Sequence, residues 1–90
     1  MKTIKAYSLV GQDGNAYALM GYTANALKKT GYRDLINKMH TEATTGDYYH
    51  LIYVCDKYIE LCNKTLEDRG YELIYDDYEE YEGEEEEEEY

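Results

Sequence analysis

Few side chains in this 90-residue chain are equipped for chemistry, and their spacing limits what they can do. His40 and His50 are the only histidines, and Asp47 stands one helical step before His50, so a metal site or an acid–base pair can be drawn from them. Each has a plainer account: Asp47 is placed to cap a helix, and a histidine in a first helical turn commonly packs half exposed. No Ser-His-Asp order, HExxH or CxxC pair is present. Asp13-Gly14-Asn15 resembles the start of a calcium loop, yet the later ligands and the closing Glu are missing at the required spacing, leaving a turn and helix cap. GQDGNA lacks the Gly-Lys-Ser/Thr that brings a cation to a phosphate. Neither a catalytic residue nor a metal or cofactor is expected.

Cys55 and Cys62 lie seven residues apart on one helical face, which separates their Cα atoms by about 10 Å. A disulfide needs less than ~7 Å, so both read as small buried hydrophobes in a reducing compartment.

The strongest signal is charge. The net charge is −11, and residues 1–75 hold nine acids and nine bases, so the entire surplus falls in residues 76–90. There Tyr75, Tyr78 and Tyr81 repeat every three residues among Asp76, Asp77, Glu79, Glu80 and Glu82, followed by Glu84, Glu85, Glu86 and three more Glu. Flat rings and dense negative charge together suit Arg- or Lys-rich surfaces, such as the grooves that hold nucleic acid. Acidic ends also serve as plain solubility tails. Direct nucleic-acid binding is disfavoured, because the tail repels phosphates and the basic residues that cluster in sequence are only Lys28, Lys29, Arg33 and Lys38. Those four are an alternative intramolecular dock for the tail.

The elements that must position these residues are mainly helical. Gly46 to Gly70 reads as one long helix: Leu51, Ile52, Cys55, Tyr58, Ile59, Cys62 and Leu66 recur at steps of three and four, with Asp47 as N-cap and Gly70 as the stop. Its Tyr48, Tyr49 and Tyr53 are expected on the surface. Asn15 or Asp13 caps an earlier helix with Ala16, Leu19, Met20, Thr23, Ala24 and Leu27 on its stripe, Lys28 and Lys29 in its last turn and Gly31 at its end. Gly21 among its alanines suggests close approach of another backbone. A shorter helix over Tyr32 to Thr44 buries Leu35, Ile36, Met39 and Ala43.

Thr3 to Val10 has strand character, and so does YELIY (71–75), so the two can pair. The expected fold is thus a mainly α, three-helix small domain over 1–75, or α+β if that two-stranded sheet forms, followed by an acidic tail over 76–90. With neither Trp nor Phe and 13 Tyr, each buried ring must find a partner for its hydroxyl or leave that end in water, so much of the Tyr is expected half exposed. No run reaches the roughly 20 apolar residues of a membrane span and no signal segment opens the chain, so a cytosolic protein is expected.

DGNAYALMGYTANALKKTG (13–31) and EATTGDYYHLI (42–52) resemble a set of short, uncharacterised proteins of bacteriophages and other mobile elements, which share a DGNA-aromatic-A-aliphatic-M-G start and a GDY-x-HL step. Tyr49 departs from the acidic residue of that pattern, and the Glu tail is no part of it. The resemblance implies a phage or prophage origin and no reaction. Combined with the charge partition, it leads to the expectation of a non-enzymatic inhibitor in the host cytoplasm. Its partner would be a basic, nucleic-acid-binding host protein or nuclease complex, as for an anti-CRISPR or DNA-mimic protein. A small helical assembly protein with a solubility tail is the alternative.

Overall fold

The computed structural model describes residues 2–75, which form three helices and a two-stranded sheet. The acidic tail expected over residues 76–90 lies outside these described residues. Strand β1 (Thr3–Lys5) leads through a loop to α1 (Ala16–Lys29); a 3-10 turn (Arg33–Leu35) runs into α2 (Ile36–Ala43), α3 (Tyr48–Asp68) follows, and β2 (Glu72–Ile74) returns to pair with β1. The pairing is parallel, with Ile4 opposite Leu73. The strand expected over Thr3–Val10 closes after Lys5, because beyond it the chain leaves the sheet: Ala6 still donates to Ile74, and then both backbone groups of Tyr7 turn to the side chain of Asn63.

Helix α3 is the centre of the packing, with α1 and α2 both laid against it. Its buried stripe is Leu51, Val54, Cys55, Tyr58, Ile59, Cys62, Asn63 and Leu66, against Leu19, Met20, Ala26 and Leu27 of α1 and Met39 and Ala43 of α2. Both cysteines are free and buried, and burial raises both thiols above their ordinary range. Thr23 and Thr30 are also buried, and each donates its hydroxyl to the carbonyl four residues back, so neither leaves a polar group unsatisfied in the core.

Both long helices stop by the same device. Gly31 and Gly70 sit at φ +95°, and the following Tyr32 and Tyr71 donate back to Leu27 and Leu66, the hydrogen bond that closes a Schellman turn. Arg69 then ties the two ends together by donating from Nη2 to the Thr30 carbonyl at 2.8 Å. The helix expected over Tyr32–Thr44 starts instead as a 3-10 turn, with Leu35 and Ile36 only half buried.

The close approach expected at Gly21 is absent: a Cβ there would meet nothing within 4 Å. The position faces solvent, and the residue that vanishes into the core is Ala26. Gly21 is therefore only a helix-weakening residue, and Gly21→Ala is expected to raise stability by roughly 0.5–1 kcal/mol in denaturant unfolding. A decrease would mean that the exposed face of α1 carries a contact the fold does not show.

Candidate functional site

The two segments singled out by their motifs come together at one end of the molecule. Asp13 accepts the Asn15 N–H, and Asn15 then accepts the N–H groups of Tyr17 and Ala18 at 2.9 and 3.3 Å, so DGN is an Asx turn feeding a helix cap. Asp47 caps α3 by accepting the His50 N–H at 2.9 Å. Tyr48, in the first turn of α3, donates its hydroxyl to the Gly14 carbonyl and so pins one motif to the other.

His50 is a latch. Its Nε2 lies 2.8 Å from the carbonyl of Glu42 and 3.2 Å from Thr45 Oγ1. A carbonyl only accepts, so Nε2 carries the proton and donates to the Glu42 carbonyl, which also accepts from the N–H and the hydroxyl of Thr45 at the end of α2. Asp47 meets His50 through the backbone N–H, so the two do not form a side-chain acid–base pair. His40 is exposed in the last turn of α2. Among the described residues no group of three or more His, Cys, Asp or Glu could hold a metal ion.

A second junction of α2 and α3 is polar and half covered. Tyr58, buried against the core, donates to Glu42 Oε1 at 2.9 Å, and Lys57 Nζ reaches the same oxygen at 3.3 Å while lying 5.3 Å from the Tyr58 ring centre. The Tyr58 bond, then that of Lys57, holds the Glu42 carboxyl below its usual value. Burial first, then the bond to Glu42, pushes the Tyr58 phenol up to about 12 from 10.

Because the raised group is an acid kept protonated by folding, its contribution is complete below about pH 10 and is lost as pH rises toward 12. Glu42 works in the opposite sense: its contribution is present above the ordinary carboxylate range and fades as pH falls below it. In an alkaline titration of phenolate absorbance, Tyr58→Phe is expected to remove the highest step; persistence of that step would contradict the buried Tyr58–Glu42 bond.

Between the two motifs lies an open groove of about 340 Å³. Ala16, Met20, Ala43 and Leu51 form its apolar floor, and Tyr17, Asp47 and Tyr48 stand around it. Tyr17 is 81% exposed. Tyr48 packs edge to face with the exposed Tyr49, ring centres 6.1 Å apart. Tyr17 did not stand out in the sequence; the signal was an aromatic ring on the polar side of an alanine-rich helix, off the stripe of Leu19, Met20 and Thr23.

Of the residues expected to bind a partner, Tyr75 alone is described. It is exposed and, with Glu60, Asn63, Lys64 and Glu67, lines a shallow depression on α3. Asp76, Asp77, Tyr78, Glu79, Glu80, Tyr81, Glu82, Glu84, Glu85 and Glu86 lie beyond the described residues. Tyr49 and Tyr53 are exposed as expected, as are Lys28, Lys29, Arg33 and Lys38. Among the described residues no helix is long and apolar enough to cross a membrane. Comparison with family models, with curated proteins and with solved structures finds no match to this chain.

Proposed function

We propose that the chain is a non-enzymatic, phage-type inhibitor whose acidic, Tyr-rich C-terminus binds a basic, nucleic-acid-binding host protein in the place of nucleic acid, in the manner of an anti-CRISPR or DNA-mimic protein. The observation that carries this reading is the charge partition. A body with equal acids and bases precedes fifteen residues that hold eleven acids, no base and three further tyrosines. A strip of carboxylates with ring faces competes for a phosphate-binding groove by charge, and releases salt counterions as a polyanion does. The helical body supplies a stable anchor for that strip.

Capture from host lysate with the full chain and with a chain ending at residue 75 tests it. Mass spectrometry is expected to identify a nucleic-acid-binding protein retained by the full chain at low salt, released steeply as salt rises, and missing with the truncated chain. Equal retention by both chains would overturn the assignment to the tail.

The exposed rings of Tyr17, Tyr49 and Tyr53 favour one second reading, self-assembly of the body with the tail for solubility. Sedimentation at two salt concentrations separates the two: a salt-independent oligomer supports assembly.

A further inference from the structure

We infer that the groove between the two motifs receives a cationic side chain, Arg or Lys, projecting from the surface of a basic protein partner. The inference rests on the proposed function for the nature of the partner, and adds a contact on the folded body separate from the tail.

Charge selects the occupant. The lining contains the carboxylate of Asp47 and no cation. Asp47 uses Oδ1 for the His50 N–H, which leaves Oδ2 without a hydrogen bond among the described residues. The bond from Tyr48 to Gly14 ties the turn that precedes α1 to the first turn of α3 and so fixes the Tyr48 ring at the groove. Helix ends contribute about half a charge each: the N-termini of α1 and α3 are positive and the C-terminus of α2 is negative. These fractions sum to about half a positive charge, and the full charge of the Asp47 carboxylate leaves the balance negative.

Shape agrees with charge. A Lys or Arg stem is apolar over three or four methylenes, and the floor of Ala16, Met20, Ala43 and Leu51 is what such a stem covers. The charged head then lies beside Asp47 and over the ring of Tyr17 or Tyr48, where a cation within ~6 Å of the ring centre is attracted by the ring face. An anionic side chain would meet repulsion. A neutral one would gain the floor alone.

Methyl and amide NMR on the full chain tests this with the probe acetyl-Gly-Arg-Gly-amide, its Lys counterpart, and its citrulline counterpart, which is neutral and nearly the same shape. Saturable shifts of the Met20 and Ala43 methyls are expected with Arg and Lys and not with citrulline. Tyr17→Ala, which removes an exposed ring, and Asp47→Asn, which keeps a capping side chain but removes the charge, are each expected to weaken binding by roughly two- to fivefold.

Equal shifts with citrulline, or none at Met20 and Ala43, would overturn the groove assignment. If tail resonances still respond to the cationic probes in that case, the reading of the tail survives. Groove shifts with an unresponsive tail support the groove and count against the tail.

Discussion

Asn63→Ala is expected to lower the unfolding free energy by about 2–4 kcal/mol, a large share of the stability of a domain this small. Asn63 is 8% exposed on α3, yet it is not a misplaced polar residue. Its Oδ1 accepts the Tyr7 N–H and its Nδ2 donates to the Tyr7 carbonyl, both at 2.9 Å across 56 residues of chain. One amide side chain thus takes the place of a neighbouring strand where β1 has ended, satisfying both backbone groups of Tyr7. Alanine strands that donor and that acceptor under partial cover, and each unsatisfied group costs about 1–3 kcal/mol.

The loss also spreads. With Tyr7 released, Ala6 loses its buried seat and β1 its fixed register against β2. Asn63→Asp is an informative control: it keeps the acceptor for the Tyr7 N–H but sets a carboxylate oxygen against the Tyr7 carbonyl, and is expected to be as damaging as alanine. Denaturant unfolding of either variant with a change below about 0.5 kcal/mol would show that the amide is not the clamp.

Gly46→Ala is expected to cost about 2–3 kcal/mol, for a steric reason. Gly46 has no positive φ, so backbone freedom is not what demands glycine. A Cβ there would lie 2.8 Å from His50 Cγ and 2.9 Å from both Cβ and Cδ2 of the same residue. The His50 Cβ is fixed to the first turn of α3 and cannot swing aside as a side-chain tip would. Relief therefore moves the α2–α3 connection or expels the ring, and expulsion breaks the bond from Nε2 to the Glu42 carbonyl. If the loss runs through this latch, then Gly46→Ala and His50→Ala combined will cost clearly less than the sum of the two single changes; strict additivity would place the clash elsewhere.

These two residues also mark the limit of what could be read from the chain. The helices were legible because their apolar residues repeat with the helical period and their ends carry chemistry of their own: Asn15 and Asp47 cap as their positions imply, and Gly31 and Gly70 close the helices in left-handed turns. The tyrosines divide as the chemistry of a phenol requires: Tyr58 finds Glu42 and Tyr32 meets Thr65, while Tyr17, Tyr49 and Tyr53 stay exposed.

What stayed hidden depends on contacts between distant segments. Asn63 was not singled out in the sequence, because its burial and its hydrogen bonds depend on Tyr7, 56 residues away. Gly46 was legible as a break, yet its need for glycine comes from the ring of His50. Gly21 misled because glycine among alanines is common both where backbones meet and where nothing does. The sheet was foreseen without its direction, since two three-residue strands carry no pattern that distinguishes parallel from antiparallel pairing. The groove was invisible for the same reason: Tyr17 and Asp47 stand 30 residues apart, and only the packing of α1 and α2 on α3 brings them to one rim.

If the acidic C-terminus competes with nucleic acid for a basic surface, the full chain must displace bound DNA from that surface. The protein captured from lysate is purified, loaded with labelled duplex DNA, and titrated with the full chain or with the chain ending at residue 75, at two salt concentrations. The full chain is expected to displace the DNA, less effectively at higher salt, and the truncated chain is expected not to. Displacement by the truncated chain as effective as by the full one would contradict competition by the C-terminus.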